Sequence, residues 1–352
     1  MRIVDFGDKH RDAWDSFVED CLLSTIYHTF SWLQIFQETL GYTQKGFILL
    51  DDQGKVVGGL PLFEVKGLGV RKLVSMPFRD RGGLLAQEAS GRHFLLEEAV
   101  RLYKKGKYDL LLIKEDLPLD GLNLNRWGFQ ESNFWVKTVV DLKEGVASIW
   151  NRLENNAQGP VKQAKKLDVR VHCAKDINEM RLFYRIFLKK RKSLGVPCFP
   201  EVFFVHLWQH LCVKRKACLF MAYKGNTPLG GILLLLHKNT VIDGYAASCP
   251  EYNELRANDL LVWESIDWAG QNGYSLFDFG ADSSRQESLL AFKRKWGGVC
   301  IPMHHYSLSA ENRAPAEMDS SDKKYFLARS IMSRLPLTIF RLVSDRLVGR
   351  FG

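Results

Sequence analysis

Two stretches of the chain alternate short apolar runs with a polar break in the same way. Residues 47–63 read FILLDDQGKVVGGLPLF, and residues 219–235 read LFMAYKGNTPLGGILLL. Each predicts two strands joined by a tight turn, at Gln53-Gly54 in the first and at Gly225-Asn226 in the second. A Gly-Gly pair follows each turn, Gly58-Gly59 and Gly230-Gly231, 172 positions apart. A helical stretch beginning at Leu95-Leu96 runs into the apolar YDLLLI, and one beginning at Leu260-Leu261 runs into YSLFDF. Trp127-Gly128 and Trp296-Gly297 close the two series, 169 positions apart. Three matched features in one order, at nearly constant offset, imply an internal duplication.

Each half then predicts helix, helix, hairpin, a further strand, helix, strand and a terminal strand. The further strand is KLVSMPF in the first half and TVIDGYAAS in the second. A hairpin followed by a strand–helix–strand unit gives a mixed, mostly antiparallel sheet flanked by helices, an α/β (α+β) class. That is the element order of the GNAT acyltransferase fold, so the duplication predicts two tandem GNAT-like domains, 1–145 and 146–309. Residues 146–167 predict two helical segments interrupted at Gly159-Pro160. Residues 310–352 predict a polar linker (310–322) and a basic helical tail.

Composition changes little in this picture. Hydrophobic residues are 46% and charged residues 25% of the 352 positions, enough for two ordinary cores. The opening MRIVDFGDKHRDAW is charged and lacks the apolar centre of a signal peptide. No apolar run approaches the ~20 residues that span a bilayer. The expectation is a cytoplasmic protein, soluble or peripheral on the inner face of the membrane. Seven cysteines form no CxxC pair, and read as small buried hydrophobes in a reducing compartment. His206 and His210 stand four apart without a further ligand nearby, so no metal site is expected. A net charge of +9 suggests an anionic partner, such as a phosphorylated small molecule, a lipid surface or nucleic acid. DNA is not among the partners expected.

A longer set of strings carries a likeness to a known family. It comprises YHTFSW (27–32), VSMPFRDRGGLL (74–85), NRLENNAQGPVKQAKKLDVRV (151–171), KKRKSLGVPCFPEVFF (189–204), the stretch 244–280 from GYAASC to LFDFG, and AFKRKWGG (291–298). This ordered set resembles the Fem-like branch of the GNAT superfamily. The branch holds the peptidoglycan-bridge aminoacyltransferases and acyltransferases tied to exopolysaccharide systems, and the chain is more similar to the latter. The resemblance implies acyl or aminoacyl transfer onto an amino group of a cell-envelope precursor, an amino sugar or a muropeptide, phosphorylated or lipid-linked. It implies no tightly bound cofactor. The donor is an acyl-CoA or other acyl thioester, or an aminoacyl-tRNA.

Amide formation needs an unprotonated amine and a stabilised oxyanion. Lys293, after Phe292, matches the Phe-Lys of the Fem motif, which implies a cation beside the reacting carbonyl; without that motif it reads as a solvated basic turn. Asp278 in SLFDFGAD sits where a strand-end carboxylate meets ligands, or else pairs with Lys293 or Arg285; Asp282 is a second candidate. Arg256 and Asn258 precede the second-half helix, with Asn258 as its expected cap. They suit a phosphate although the glycines of the coenzyme A loop are missing. Arg79, Asp80 and Arg81 suit a sugar phosphate in the first half, or form an internal bridge. Tyr245 joins them as a substrate-binding residue, and the first half is expected to bind the acceptor. Trp263 and Trp268 read as core. The tail, with apolar residues at helical spacing among Lys and Arg, either closes over a domain or rests on anionic lipid. A non-catalytic saccharide- or polyanion-binding protein on the same scaffold is the competing reading.

Overall fold

The computed structural model describes residues 1–67, 69–309 and 326–352. In chain order the first half forms β1 (Arg2–Asp5), α1 (Arg11–Asp20), α2 (Phe30–Leu40), β2 (Thr43–Gln44), β3 (Phe47–Leu50) and β4 (Val56–Leu60). It continues with β5 (Phe63–Gly67), β6 (Val70–Val74), β7 (Leu85–Ala86), α3 (Ala89–Gly106), β8 (Leu110–Glu115), β9 (Gln130–Ser132) and β10 (Trp135–Asp141). The second half opens with α4 (Val146–Arg152), α5 (Asn155–Lys166), β11 (Val169–Cys173), α6 (Ile177–Leu194) and α7 (Glu201–Leu207). Then follow β12 (Ala217–Lys224), β13 (Thr227–His237), β14 (Thr240–Ser248), α8 (Ala257–Gln271), β15 (Leu276–Ser283), α9 (Glu287–Arg294), β16 (Val299–Pro302) and β17 (His304–Ser309). Helices α10 (Phe326–Arg334) and α11 (Leu337–Leu347) end the chain.

Both hairpins form where the sequence places them, β3–β4 and β12–β13, with Gly54 and Gly225 at positive φ in the turns. The two Gly-Gly pairs have one physical cause. A Cβ on Gly58 would lie 2.7 Å from Leu85 O of the next strand, and one on Gly230 would lie 2.8 Å from Ala247 O. The second glycine of each pair faces an aromatic ring from a packed helix, Trp14 at Gly59 and Phe183 at Gly231. Neighbouring strand and helix ring thus both come too close for any larger residue.

The chain forms two compact units. One holds Met1–Trp135, the segment beginning at Pro302, and Leu347–Gly352; the other holds Val136–Ile301 and the tail helices as far as Arg346. The first has a four-stranded sheet, β1-β3-β4-β7, and a six-stranded sheet, β2-β5-β6-β8-β17-β9. The second has one seven-stranded sheet, β11-β12-β13-β14-β15-β10-β16. A sequential boundary at 145/146, with the second domain ending at 309, therefore does not describe these units. The terminal strand of each half enters the other half's sheet. The polar stretch expected as a linker, 310–322, lies outside the described residues.

In the second unit α8 covers the sheet with Leu260, Leu261, Trp263, Ile266 and Ala269, all buried. Trp263 meets Trp150 of α4 with ring centroids 4.5 Å apart, the core role expected of it. Each such fully buried large side chain contributes about 1.5–3 kcal/mol of hydrophobic stabilisation. The break between α4 and α5 falls at Leu153–Glu154, not at Gly159-Pro160, which lies inside α5. The Gln158 amide bridges it, donating to Trp150 O and Leu153 O.

Candidate functional site

The second unit's sheet opens at one point. Strands β14 and β15 run parallel and pair only from Thr240↔Leu276 to Ile242↔Asp278. Beyond that both strands continue, to Ser248 and Ser283, without further pairing to each other. The register of β14 against β13 also slips there: Leu234 faces Asp243 but Leu233 faces Tyr245, a bulge around Gly244. A bulge beside two diverging strands re-aims backbone and side chains into a gap.

Asp243 is the first residue of β14 past the paired stretch. Burial lifts its carboxyl to about 7; the Lys293 ammonium opposes the shift, and the Asp282 and Asp278 carboxylates add to it. A carboxyl poised at neutral pH suits proton transfer. Nothing in TVIDGYAAS marks Asp243, because its setting depends on residues 35 to 50 positions away that the sheet brings together.

Lys293 and Phe292 lie on helix α9, not in a solvated turn or at a strand edge. Lys293 is only 7% exposed. Its Nζ donates to Phe279 O at 2.7 Å and Gly280 O at 3.3 Å, and it forms an ion pair with Asp282. Three acceptors account for three ammonium protons, so the lysine holds the curl of β15 and balances its carboxylates rather than presenting a donor to a carbonyl. Phe292 packs on Trp296 and carries the Lys295 ammonium 4.6 Å above its ring. Asp278 is not at a strand end. It is 2% exposed in the body of β15, and its carboxylate accepts the Gly280 N–H at 2.7 Å.

Helix α8 starts beside a cavity of about 340 Å³, lined by Lys190, Ser248, Tyr252, Arg256, Asn258 and Asp259 among others. The residue at its N-cap is Arg256, in the left-handed conformation, and no side chain caps the helix. Asn258 is therefore a first-turn residue and not the cap. Uncapped first-turn N–H groups with two cations at the rim favour an anion. Tyr245 is elsewhere in character. It is buried in an aromatic cluster with Phe187, Phe199, Phe203 and Phe204, at centroid distances of 5.6 to 6.1 Å. Its ring packs in the core.

The first unit repeats the opening. Strands β6 and β8 run parallel and pair only from Lys72↔Leu110 to Val74↔Leu112. Past Val74 the chain leaves the sheet, where KLVSMPF predicted strand, and Phe78 takes a positive φ of 59°. The loop carbonyls are gathered by two groups. Lys114 Nζ donates to Met76 O and Arg79 O, at 3.0 and 2.9 Å, and burial lowers its ammonium to about 7. His305 Nε2 lies 2.8 Å from Asp80 O, and burial holds this imidazole neutral, down to about 4. Burial pushes the Asp80 carboxyl up, but Arg81 and Arg79 outweigh it and hold it below the usual range. Arg81, 2% exposed, reaches Asp116 at 3.4 Å, and the Arg79 guanidinium lies 5.6 Å from the Trp32 ring. Arg81 and Asp116 also line a cavity of about 460 Å³ together with His28 and Arg92.

Comparison with known proteins bears on the fold and on part of the chain. Residues 152–294, which hold Asp243, Arg256, Asn258, Asp278 and Lys293, match the family described as acetyltransferase (GNAT) domain. No curated protein matches in sequence. Among solved structures, FemX shares the fold over 94% of this chain and all of its own, at 16% identity and a TM-score of 0.70. A tandem GNAT protein from the clavulanic acid biosynthesis pathway shares it over 90% and 99%, at 13% identity and a TM-score of 0.54. L-PGS from Bacillus licheniformis does so over 86% and 96%, at 12% identity and a TM-score of 0.54. The chain has the fold of FemX and of a tandem GNAT protein, and its residues 152–294 form an acetyltransferase (GNAT) domain.

Proposed function

We propose that the chain transfers an acyl or aminoacyl group onto an amine of a cell-envelope precursor, with the chemistry in the opening between β14 and β15. The observation that carries this is Asp243, a carboxyl held near neutrality at the point where the two parallel strands part. The amine nitrogen attacks the donor carbonyl carbon, and Asp243 takes the proton the nitrogen sheds. The carbonyl–leaving group bond then breaks, and the thiolate or tRNA oxygen departs and is protonated. The donor's phosphates are held at the α8 N-terminus by first-turn N–H groups, Arg256 and Lys190. Lys293 keeps β15 curled and its carboxylates balanced, so that Asp243 titrates in the useful range.

The donor is an acyl thioester of coenzyme A or an aminoacyl-tRNA. FemX is a Fem-type protein by name, and a further structure of this fold is the C-terminal domain of a putative lysylphosphatidylglycerol synthetase from Agrobacterium fabrum. Both favour an aminoacyl donor and a phosphate-bearing acceptor, such as a lipid-linked saccharide or muropeptide. Calorimetric titration with acetyl-CoA and with charged tRNA, followed by mass spectrometry of amide products, tests the reading. Asp243→Asn should leave donor affinity intact and slow transfer by ~10²–10⁴-fold. Transfer at the wild-type rate by that variant, or binding of neither donor, would sink the proposal. In the second case a saccharide- or polyanion-binding role replaces it.

A further inference from the structure

The tail helices show two different faces. Helix α11 packs through Phe340 and Ser344, both fully buried. Helix α10 is tied to the end of α6, where Lys192 Nζ donates to Ser333 O at 2.8 Å and Arg329 Nε donates to Leu194 O at 3.1 Å. The opposite faces are apolar and open. Phe326 is 73% exposed, Leu327 70%, Ile331 55%, Ile339 47% and Leu342 56%. Leu194 and Val202, at the ends of α6 and α7 that these helices touch, add exposed apolar surface beside them.

Charge is arranged around this surface in a regular way. On α10 the exposed pair Leu327 and Ile331 is followed on the same face by Arg334. On α11 the exposed pair Ile339 and Leu342 is followed by Arg346. The two helices carry Arg329, Arg334, Arg341 and Arg346 against one acid, Asp345. A short apolar stripe ending in arginine, on helices with four basic residues against one acid, is complementary to the phosphate headgroup layer of an anionic surface. Arginine can lay its stem along the apolar surface and keep its guanidinium among lipid phosphates. Among the described residues no helix is long and apolar enough to cross a membrane, so a surface contact is the form available.

We infer that the outer face of α10 and α11 rests on an anionic bilayer, with Leu327, Ile331, Ile339 and Leu342 entering the headgroup boundary and Arg334 and Arg346 paired to lipid phosphates. The contact is sequence-local and independent of the acyltransfer chemistry. It would bring the enzyme to the surface where a lipid-linked acceptor resides.

Vesicle co-sedimentation of the full chain tests this, with phosphatidylcholine vesicles compared against vesicles containing phosphatidylglycerol. The protein should pellet with the anionic vesicles only, and salt should release it. Each of Arg334→Glu and Arg346→Glu should weaken the partition by ~5-fold or more, from the worth of one basic residue at such a surface. The double change Ile331→Ser and Leu342→Ser should abolish it. All four positions are exposed, so circular dichroism and thermal melting should be unchanged. Failure to pellet with anionic vesicles, or pelleting unaffected by these variants, overturns the inference. So does a dimer in light scattering that the Ile331→Ser and Leu342→Ser protein loses, which would assign the face to a second copy of the chain.

Discussion

A single carboxyl can be made to titrate near neutrality only by an environment, and the two openings of this chain each contain one. Asp243 was invisible in sequence because its neighbours, Asp278, Asp282 and Lys293, are assembled by strand pairing. Lys293 was legible through the Fem-like motif, but its acceptors were not, since Phe279 O and Gly280 O are backbone atoms. If Asp243 is the base, transfer should rise with pH through about 7 and then level, because only the ionised form accepts a proton. In the first unit Glu115 provides a test through stability. Its Oε1 accepts the Leu84 N–H at 2.8 Å, and burial raises its carboxyl from 4.5 to about 8. Between those values the folded chain holds a proton that the unfolded chain has released, so stability falls as pH rises across the window. The slope is ~1.4 kcal/mol per pH unit at most. Glu115→Gln keeps the shape and the acceptor but cannot titrate. Urea melts at pH 5 and pH 8 should therefore show wild type losing stability relative to the variant. Parallel losses in the two proteins would mean that Glu115 is not held protonated.

Elements were more legible than the chemistry they carry. Hairpins, the α8 helix and the paired Trp-Gly turns follow from local pattern, and Gly128 and Gly297 both adopt positive φ as such turn ends demand. The misreadings have local causes. AFKRKW holds four strong helix formers in six residues and closes α9. KLVSMPF has strand composition but loses its partner when β8 diverges. Asn258 looks like a cap, yet the preceding turn delivers Arg256 to that place at φ 55°. A left-handed non-glycine residue costs ~1 kcal/mol, which the fold retains at an exposed arginine beside the cavity. Arg256→Gly should therefore stabilise the protein by ~1 kcal/mol while weakening donor binding several-fold. Thermal melting and donor calorimetry on the same sample read both effects. A variant that is stabilised yet binds the donor as before would remove Arg256 from the site.

At the scale of the whole chain, the duplication was readable but its wiring was not. Repeats reveal themselves by local resemblance, whereas strand exchange depends on which edges the terminal strands pair with. Strand β10 from the first half lies between β15 and β16, where Leu142 N donates to Ser275 O and Thr138 touches Cys300. Strand β17 from the second half pairs with β8 over six residues, His304↔Glu115 to Ser309↔Leu110, and with β9 on its other side. Cutting the chain at 145/146 would remove an interior strand from each main sheet. Each fragment would then expose unpaired strand edges and the apolar faces of Val139, Val140, Tyr306 and Leu308, all buried in the intact chain. Residues 1–145 and 146–352 expressed separately should accordingly be insoluble or lack cooperative melting. Co-expressed, they should recover a soluble complex, because each supplies the strand the other lacks. A soluble, cooperatively melting 146–352 fragment would show that β10 is dispensable to the seven-stranded sheet. That outcome would make the exchange a feature of connectivity alone rather than a condition for folding.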